Sequence, residues 1–423
     1  MKACVKTLGC KVNTYESEYM AYLLKEQGYE IVENNADVYV VNTCTVTNAA
    51  DAKSRKLIRS LRRENENAII VVTGCHTQKL TEEEKKQLDV DIVLGNKDKS
   101  KIIEYINDFK EKHEKIECIY DMSNQEFETM FLPRFEGQTR AFIKIEDGCN
   151  NFCSYCIIPY VRGRVRSKDK DELLKEINSF IESGSKEIVL TGIHTGQYES
   201  NGYKLYDLLK DIVENTQLYR VRISSIEIVE LNDEILDLFS KTDVIASHYH
   251  IPLQCGCDKI LKLMNRRYDT KYFMERVNRI RKSKPNISLT TDVIVGFPNE
   301  TDDDFEITYN FCKQVGFSKI HVFPYSDREG TVASRMSGHV NDAVKKERVK
   351  RLLELSDQLE IEFNKSLLGS EQEIIVEEFK NGYSIGHTSN FIRVLVPNEL
   401  EHNKVYKVKL LSLEGNSVIA EVI

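Results

Sequence analysis

Six times between about Arg140 and Ser366 a short apolar run gives way to a loop and then to a stretch with helical spacing. The runs fall at 141–146, 187–190, 220–224, 249–253, 288–295 and 319–323, with helix-like stretches such as 170–183, 233–240, 271–282 and 302–314 between them. Strands that alternate with helices pair in parallel, because each crossover returns the chain to the same edge of the sheet. Six such units predict a parallel sheet curved into most of a barrel, with functional groups gathered at the carboxyl ends of the strands. A charged helix over 341–363 closes this part.

Directly after the first run comes Cys149-Asn-Asn-Phe-Cys153-Ser-Tyr-Cys156. Soft thiolate sulfur is what iron–sulfur clusters take as ligand, and a cubane offers four irons, so three cysteines leave one iron open. A zinc knuckle completed by a distant ligand, or scattered core cysteines, are the alternatives; zinc sites more often show paired CxxC spacing.

A second trio stands upstream. Cys10, Cys44 and Cys75 each follow a short apolar run, at 3–8, 38–41 and 68–72, with helix-like segments over 14–27 and 48–63 between the runs. This pattern predicts a separate parallel α/β sheet, whose strand ends would bring the three cysteines together although they are far apart in sequence. The alternative is that they are ordinary buried cysteines. Asn13 followed by Glu16 reads as an N-cap with a reaching carboxylate, starting the first helix just after Cys10.

A polar segment over 109–135 reads as a linker, ending in the breakers Leu132-Pro133-Arg134-Phe135-Glu136-Gly137. Beyond residue 367 the helices stop, and short alternating runs at 373–376, 391–396, 405–411 and 417–422 are punctuated by Asn381-Gly382, Pro397-Asn398 and Gly415-Asn416. That pattern predicts a small β-barrel of the oligonucleotide-binding kind, or a β-appendage used only for packing.

Eleven cysteines, an odd number, argue against a pure disulfide framework and for a reducing compartment. Neither a signal peptide nor an apolar stretch of membrane-spanning length is evident, so a cytoplasmic protein without a membrane partner is expected. The net charge of −8 does not advertise nucleic-acid binding. Basic residues nevertheless cluster at Lys53, Arg55, Lys56, Arg59, Arg62 and Arg63, at Arg162, Arg164, Arg166 and Lys168, and from Arg266 through Lys284. Each cluster is either a phosphate-contacting rim or a solvated face.

The three parts, in this order, resemble the radical S-adenosylmethionine methylthiotransferase family over essentially the whole chain. The resemblance rests on Thr7-Leu-Gly-Cys10-Lys-Val-Asn13, Asn42-Thr-Cys44, Thr73-Gly-Cys75, the Cys149–Cys156 loop, Arg222-Ile-Ser-Ser225, Pro252-Leu-Gln254-Cys-Gly256, Met264-Asn-Arg-Arg-Tyr268, Asp292-Val-Ile-Val-Gly296-Phe-Pro298 and Tyr325-Ser-Asp-Arg328. It implies an α/β fold in three domains. Residues 1–108 would be the N-terminal methylthiotransferase domain, 135–366 a radical S-adenosylmethionine partial (βα)6 barrel, and 367–423 an RNA-binding TRAM β-barrel.

The resemblance further implies two 4Fe-4S clusters. Cys149, Cys153 and Cys156 would hold one, whose open iron chelates S-adenosylmethionine; Cys10, Cys44 and Cys75 would hold an auxiliary one that carries the sulfur to be inserted. Reductive cleavage would yield a 5′-deoxyadenosyl radical that abstracts hydrogen from an unactivated aromatic carbon, and a second S-adenosylmethionine would supply the methyl group. Such chemistry belongs to the cofactors, which the protein positions. Tyr155 would flank the adenine of S-adenosylmethionine, Thr191 and Gly192 would meet its amino group, and Ser225, Gln254, Arg267 and Asp292 its ribose or carboxylate. Each also reads as a packing aromatic or a structural polar group at a strand end.

Cys255 and Cys257 depart from the serines commoner in relatives; a redox or third metal site is conceivable, and two buried small residues is the better reading. Cys4, Cys118 and Cys312 read as ordinary, and His76 and His194 as structural. Within the family, Thr7-Leu-Gly-Cys-Lys-Val-Asn13 resembles the branch acting on N6-threonylcarbamoyladenosine in tRNA, whereas the isopentenyladenosine branch more often has Tyr-Gly-Cys-Gln-Met-Asn. The expected reaction is C2 methylthiolation of that adenosine next to the anticodon. The implied partners are a tRNA anticodon stem-loop and an electron donor such as flavodoxin or ferredoxin. The same reaction on isopentenyladenosine, or a non-catalytic RNA-binding iron–sulfur sensor, are the alternatives.

Overall fold

The computed structural model describes residues 1–136 and 139–423; Gly137, at the expected boundary, lies outside the described residues. The N-terminal part is a sheet of β1 (Lys2–Thr7), β2 (Glu30–Ile31), β3 (Val38–Thr43), β4 (Ile69–Gly74), β5 (Ile92–Leu94) and β6 (Ile116–Cys118), ordered β2-β1-β3-β4-β5-β6 and parallel at every pairing. β3 and β4 are buried along their whole length, as strands covered on both faces must be, and so read as continuous apolar runs. Val38, Val40 and Val71 face one apolar layer with Met20 and Leu24, whereas Tyr39, Val41, Ile70 and Val72 face the other with Ile58 and Leu61. β5 and β6 were not among the expected runs, and β6 lies inside the segment read as a linker.

The strand order reverses between β1 and β3, and the crevice outside the carboxyl ends at such a reversal is where open α/β sheets hold ligands. Cys10 and Cys44 flank that crevice, and Cys75 follows β4 next door. The first helix starts three residues earlier than a cap at Asn13 requires: it runs Lys11–Glu26 with Cys10 as N-cap and no side-chain cap. Asn13 is instead buried in its first turn, donating to the carbonyls of Leu8 (2.8 Å) and Thr43 (3.0 Å), and so ties the helix start to the ends of β1 and β3.

The middle part contains β7 (Arg140–Lys144), a short antiparallel pair β8 (Glu146–Asp147) and β9 (Arg166–Ser167), β10 (Glu187–Thr191), a hairpin β11 (Glu199–Ser200) and β12 (Tyr203–Lys204), β13 (Arg220–Ile223), β14 (His248–His250), β15 (Ser288–Val295) and β16 (Lys319–Pro324). The sheets β7-β10-β13 and β14-β15-β16 are parallel, and a parallel bridge from Val221 to Ile245 joins them into the expected six-stranded partial barrel. Helices Lys170–Glu182, Asp233–Ser240, Thr270–Ser283 and Asp302–Val315 are each capped by the residue before them: Asp169, Asn232, Asp269 and Thr301 accept backbone N–H bonds in the first turn. Alternate strand residues such as Ile188, Leu190, Val221, Ile223 and Tyr249 join the apolar core beneath these helices. The residues between them, Glu187, Arg222, His248 and His250, face the barrel interior.

The C-terminal part is a closed barrel, β17 (Glu371–Lys380), β18 (Tyr383–Thr388), β19 (Arg393–Val396), β20 (Val405–Glu414) and β21 (Ser417–Val422), in the order β17-β18-β19-β21-β20 around its own core. β18 was not expected, because Tyr383-Ser-Ile-Gly-His-Thr carries one large aliphatic residue. Its Gly386 is required: a Cβ there would lie 2.4 Å from the Ile375 carbonyl oxygen across the pair. The expected Asn381-Gly382 turn joins β17 to β18 with both residues at positive φ, 53° and 82°, as a tight hairpin turn demands. The loop after β18 reaches the foot of the larger barrel, where the Phe391 ring lies 4.9 Å from the Arg140 guanidinium and 4.7 Å from that of Arg222.

Candidate active site

The two cysteine trios share one mouth. Cys75 packs against Ile157 and Val161, the first of which directly follows Cys156. Asn96 donates to the Val161 carbonyl (2.9 Å) and to the Cys75 sulfur (3.6 Å), so one side chain touches both walls. Two glycines make the first trio compact. A Cβ on Gly74 would meet the Thr43 carbonyl oxygen at 2.5 Å, and one on Gly9 would lie 3.2 Å from the Cys44 sulfur. Both sit at positive φ, 102° and 112°, where other residues are strained. Burial pushes the Cys44 thiol up to about 11 and the Cys156 thiol up to about 12, so both hold their protons near neutral pH.

Among the described residues, no three His, Cys, Asp or Glu side chains converge on a single metal-ion position. Polar groups aimed at the sulfurs fit a thiolate-bound, anionic cluster: Arg162 Nε on Cys75 (3.1 Å), Arg266 Nη1 on Cys153 (3.3 Å), the Asn151 backbone N–H on Cys149 (3.5 Å) and His194 Nδ1 on Cys149 (3.6 Å).

Arg162 is the centre of this arrangement, and sequence reading saw it only as one of a basic run. Its side chain is fully buried. It reaches Cys75, donates from Nη1 to Glu16 Oε1 (3.1 Å) and Asp147 Oδ1 (3.0 Å), and from Nη2 to Asn13 Oδ1 (2.6 Å). Lys144 bridges the same two carboxylates at 2.7 Å each, and Lys99 adds a third cation to Glu16 at 3.3 Å. Although burial opposes ionisation, Arg162 and Lys144 hold the Glu16 and Asp147 carboxyls below the usual range. Glu16, expected to cap a helix, is thus the acid that locks the sheet to the barrel.

The other basic clusters divide. Lys168 is buried on Glu176, Arg166 pairs with Asp147, and Arg276 and the exposed Arg279 pair with Asp233 at the surface, so these cations are spent on carboxylates. Lys53, Arg55, Lys56, Arg59 and Arg63 stay exposed on the helix Asn48–Glu64, beside a groove of about 1050 Å³.

The residues expected to meet S-adenosylmethionine stand as follows. Thr191 ends β10, and a Cβ on Gly192 would lie 2.7 Å from Glu146 Oε2. Ser225 follows β13, and Tyr155 packs against the core between two cysteines. Gln254 takes a positive φ of 63° and bonds through its N–H to the Asp292 carbonyl at 2.8 Å. The Asp292 side chain meets His250 at 3.2 Å. Arg267 is exposed, reaching the Asn150 carbonyl at 3.4 Å, while its neighbour Arg266 turns inward to Cys153 and Glu227. His194, read as structural, also pairs with Glu230 at 2.6 Å, and His76 is buried on Asp51 at 2.9 Å. Cys255 and Cys257 are buried against Thr308 (3.2 Å) and Asp304 (3.4 Å).

The model of the radical S-adenosylmethionine superfamily matches residues 143–312, and that of the uncharacterized protein family UPF0004 matches residues 2–95. The chain is 44% identical over 417 residues to the threonylcarbamoyladenosine tRNA methylthiotransferase MtaB of Bacillus subtilis, covering 96% of this chain and 92% of that one. The chain belongs to the radical S-adenosylmethionine methylthiotransferase family. It is also 36% identical to the tRNA-2-methylthio-N(6)-dimethylallyladenosine synthase of Clostridium botulinum, over 98% of this chain and 96% of that one. In fold it is similar to the radical S-adenosylmethionine methyltransferase TsrM of Kitasatospora setae, with a TM-score of 0.57 at 13% identity over 79% of this chain and 77% of that one. Membership implies a 4Fe-4S cluster and S-adenosylmethionine, and the protein is a radical S-adenosylmethionine enzyme.

Within the barrel, Glu187 meets Arg222 Nε at 2.9 Å and Arg220 at 3.2 Å. Despite full burial, Arg222 and then Arg220 hold its carboxyl down to about 2, against 4.5 for a free glutamate. A depressed acid stabilises the fold fully above the free value and loses that contribution as pH falls through the folded one. Acid unfolding followed by far-ultraviolet circular dichroism should therefore begin at higher pH in Arg222→Met than in the parent protein.

Proposed function

We propose that this protein is a tRNA methylthiotransferase that installs a methylthio group at C2 of N6-threonylcarbamoyladenosine beside the anticodon. The observation that carries the substrate is the higher identity to the relative named for threonylcarbamoyladenosine, 44% against 36% for the one named for dimethylallyladenosine. In this reading residues 1–108, 135–366 and 367–423 are the functional domains, and the C-terminal barrel with the exposed Lys53–Arg63 face contacts RNA. No helix among the described residues is long and apolar enough to cross a membrane, and we place the enzyme in the cytoplasm.

Cys149, Cys153 and Cys156 would hold the cluster that supplies an electron to S-adenosylmethionine, and Cys10, Cys44 and Cys75 a second one that supplies sulfur. The chain's own groups do the rest. Tyr155, Thr191, Gly192, Ser225, Gln254, Arg267 and Asp292 would line the approach to Cys149, Cys153 and Cys156 and orient S-adenosylmethionine. Asn96 and Arg162 fix the first trio against the second, so that one aromatic carbon is presented to both. Glu146, buried beside Gly192, is pushed up to about 8 chiefly by desolvation, so it adds no charge to this mouth near neutral pH.

Nucleosides from tRNA of cells lacking the gene, read by mass spectrometry, test this. Loss of 2-methylthio-N6-threonylcarbamoyladenosine with accumulation of its unmethylthiolated parent is expected. Loss of the isopentenyl product instead would move the protein to the other branch; no change in either would overturn the assignment.

A further inference from the structure

A cavity of about 460 Å³ runs along the barrel interior from the mouth to the C-terminal barrel. It begins at Lys11, one residue past Cys10, and at Ser224, at the carboxyl end of β13. It continues past His248, His250 and His321 to Lys319 and Arg393. The size suits a modified nucleobase. Lys11, Lys319 and Arg393 put three cationic side chains on its wall, among apolar groups such as Phe363, Phe391 and Ile392. The single carboxylate among the lining residues, Glu360, is already committed to Lys319 and Asn416 at 2.7 Å each. Among the described residues, no ion pair or side-chain hydrogen bond engages the Lys11 ammonium, and the residue is exposed to the solvent of the cavity. Arg222 and Arg140, which face it, are occupied by Glu187 and Glu377. A cationic cavity with one unspent ammonium is built for an anionic group, and an apolar allyl chain would leave that ammonium desolvated without compensation.

We propose that Lys11 is a specificity-determining residue that pairs with a carboxylate on the N6 substituent of the nucleobase in this cavity. The inference rests on the function proposed above, because the threonylcarbamoyl group carries a carboxylate where a dimethylallyl group has only carbon. The same ammonium would suit a tRNA phosphate, and the test separates the two sources.

The test uses the full-length, cluster-reconstituted enzyme and fluorescent anticodon stem-loops of one sequence, carrying N6-threonylcarbamoyladenosine, its carboxamide analogue, N6-dimethylallyladenosine or plain adenosine. Fluorescence anisotropy gives each Kd, and iron content with the visible absorption spectrum confirms that each variant is loaded. The parent protein should bind the carboxylate stem-loop about tenfold or more tighter than the carboxamide or plain ones. Lys11→Gln should lose that preference and bind all of them alike, and Lys11→Arg should keep most of it. Because the carboxamide arm removes the charge from the ligand, the answer does not depend on how well any variant folds. If the parent prefers the dimethylallyl stem-loop or none, the proposed substrate is wrong. A parent preference that survives intact in Lys11→Gln overturns the role of Lys11 alone. Equal weakening of every stem-loop by Lys11→Gln assigns the ammonium to phosphate and also overturns it.

Discussion

Cys153→Ala protein, reduced with dithionite, should produce no 5′-deoxyadenosine from S-adenosylmethionine, a fall to background in a chromatographic assay. Cys153 is the middle cysteine of the loop after β8 and takes a hydrogen bond from Arg266, so its loss would remove both the iron ligand proposed above and the acceptor of a buried guanidinium. Cys44→Ala should behave differently. Its thiol lies at the end of β3, in the other trio, and the Cys149–Cys156 loop is held independently by Ser154, which bonds to Leu263 and Met264 in the barrel. Cleavage should persist in that variant while methylthiolation of tRNA disappears. Retained methylthiolation would refute a sulfur-supplying role for Cys10, Cys44 and Cys75.

Arg162→Met should cost about 3–5 kcal/mol, the penalty for removing one partner from a buried ionic network. Glu16 and Asp147 would keep Lys144, and Glu16 would keep Lys99, but the Asn13 and Cys75 contacts would be left without their donor. Arg162→Lys should recover part of the loss, since a single ammonium cannot reproduce the fork that reaches Glu16, Asp147, Asn13 and Cys75 together. Differential scanning calorimetry of the full chain reads the effect. An unchanged transition in Arg162→Met would mean that the sheet and barrel are held together elsewhere, for instance by Arg328 on Asp51 at 2.7 Å.

What the sequence revealed and what it hid follow from the range of the forces involved. Strand and helix periodicity is local, so the six barrel strands and their helices fell where apolar spacing put them. That Cys10, Cys44 and Cys75 follow three neighbouring strands was legible because parallel pairing sends strand ends to one edge whatever the loops do. The pair Asn13 and Glu16 misled because its three-residue spacing imitates a capping box, while its true partners, Arg162 and Lys144, lie 149 and 128 residues away. The run from Arg162 to Lys168 looked like a phosphate rim for the same reason: the acids that consume it, Asp147, Glu16 and Glu176, are scattered along the chain. β5 and β6 span three residues each, and β18 is mostly polar, so none gives a periodic signal long enough to read.

The Phe391 ring wedged between Arg140 and Arg222 docks the C-terminal barrel onto the larger one. The loop that carries Phe391 also contributes Asn390, Ile392 and Arg393 to the cavity wall. On the function proposed above, one module would supply both the handhold for the nucleic acid and the floor of the chamber, so how deep a base could sit would be gauged from where the RNA is held. Transplanting that module from a relative would exchange the chamber's floor along with the grip.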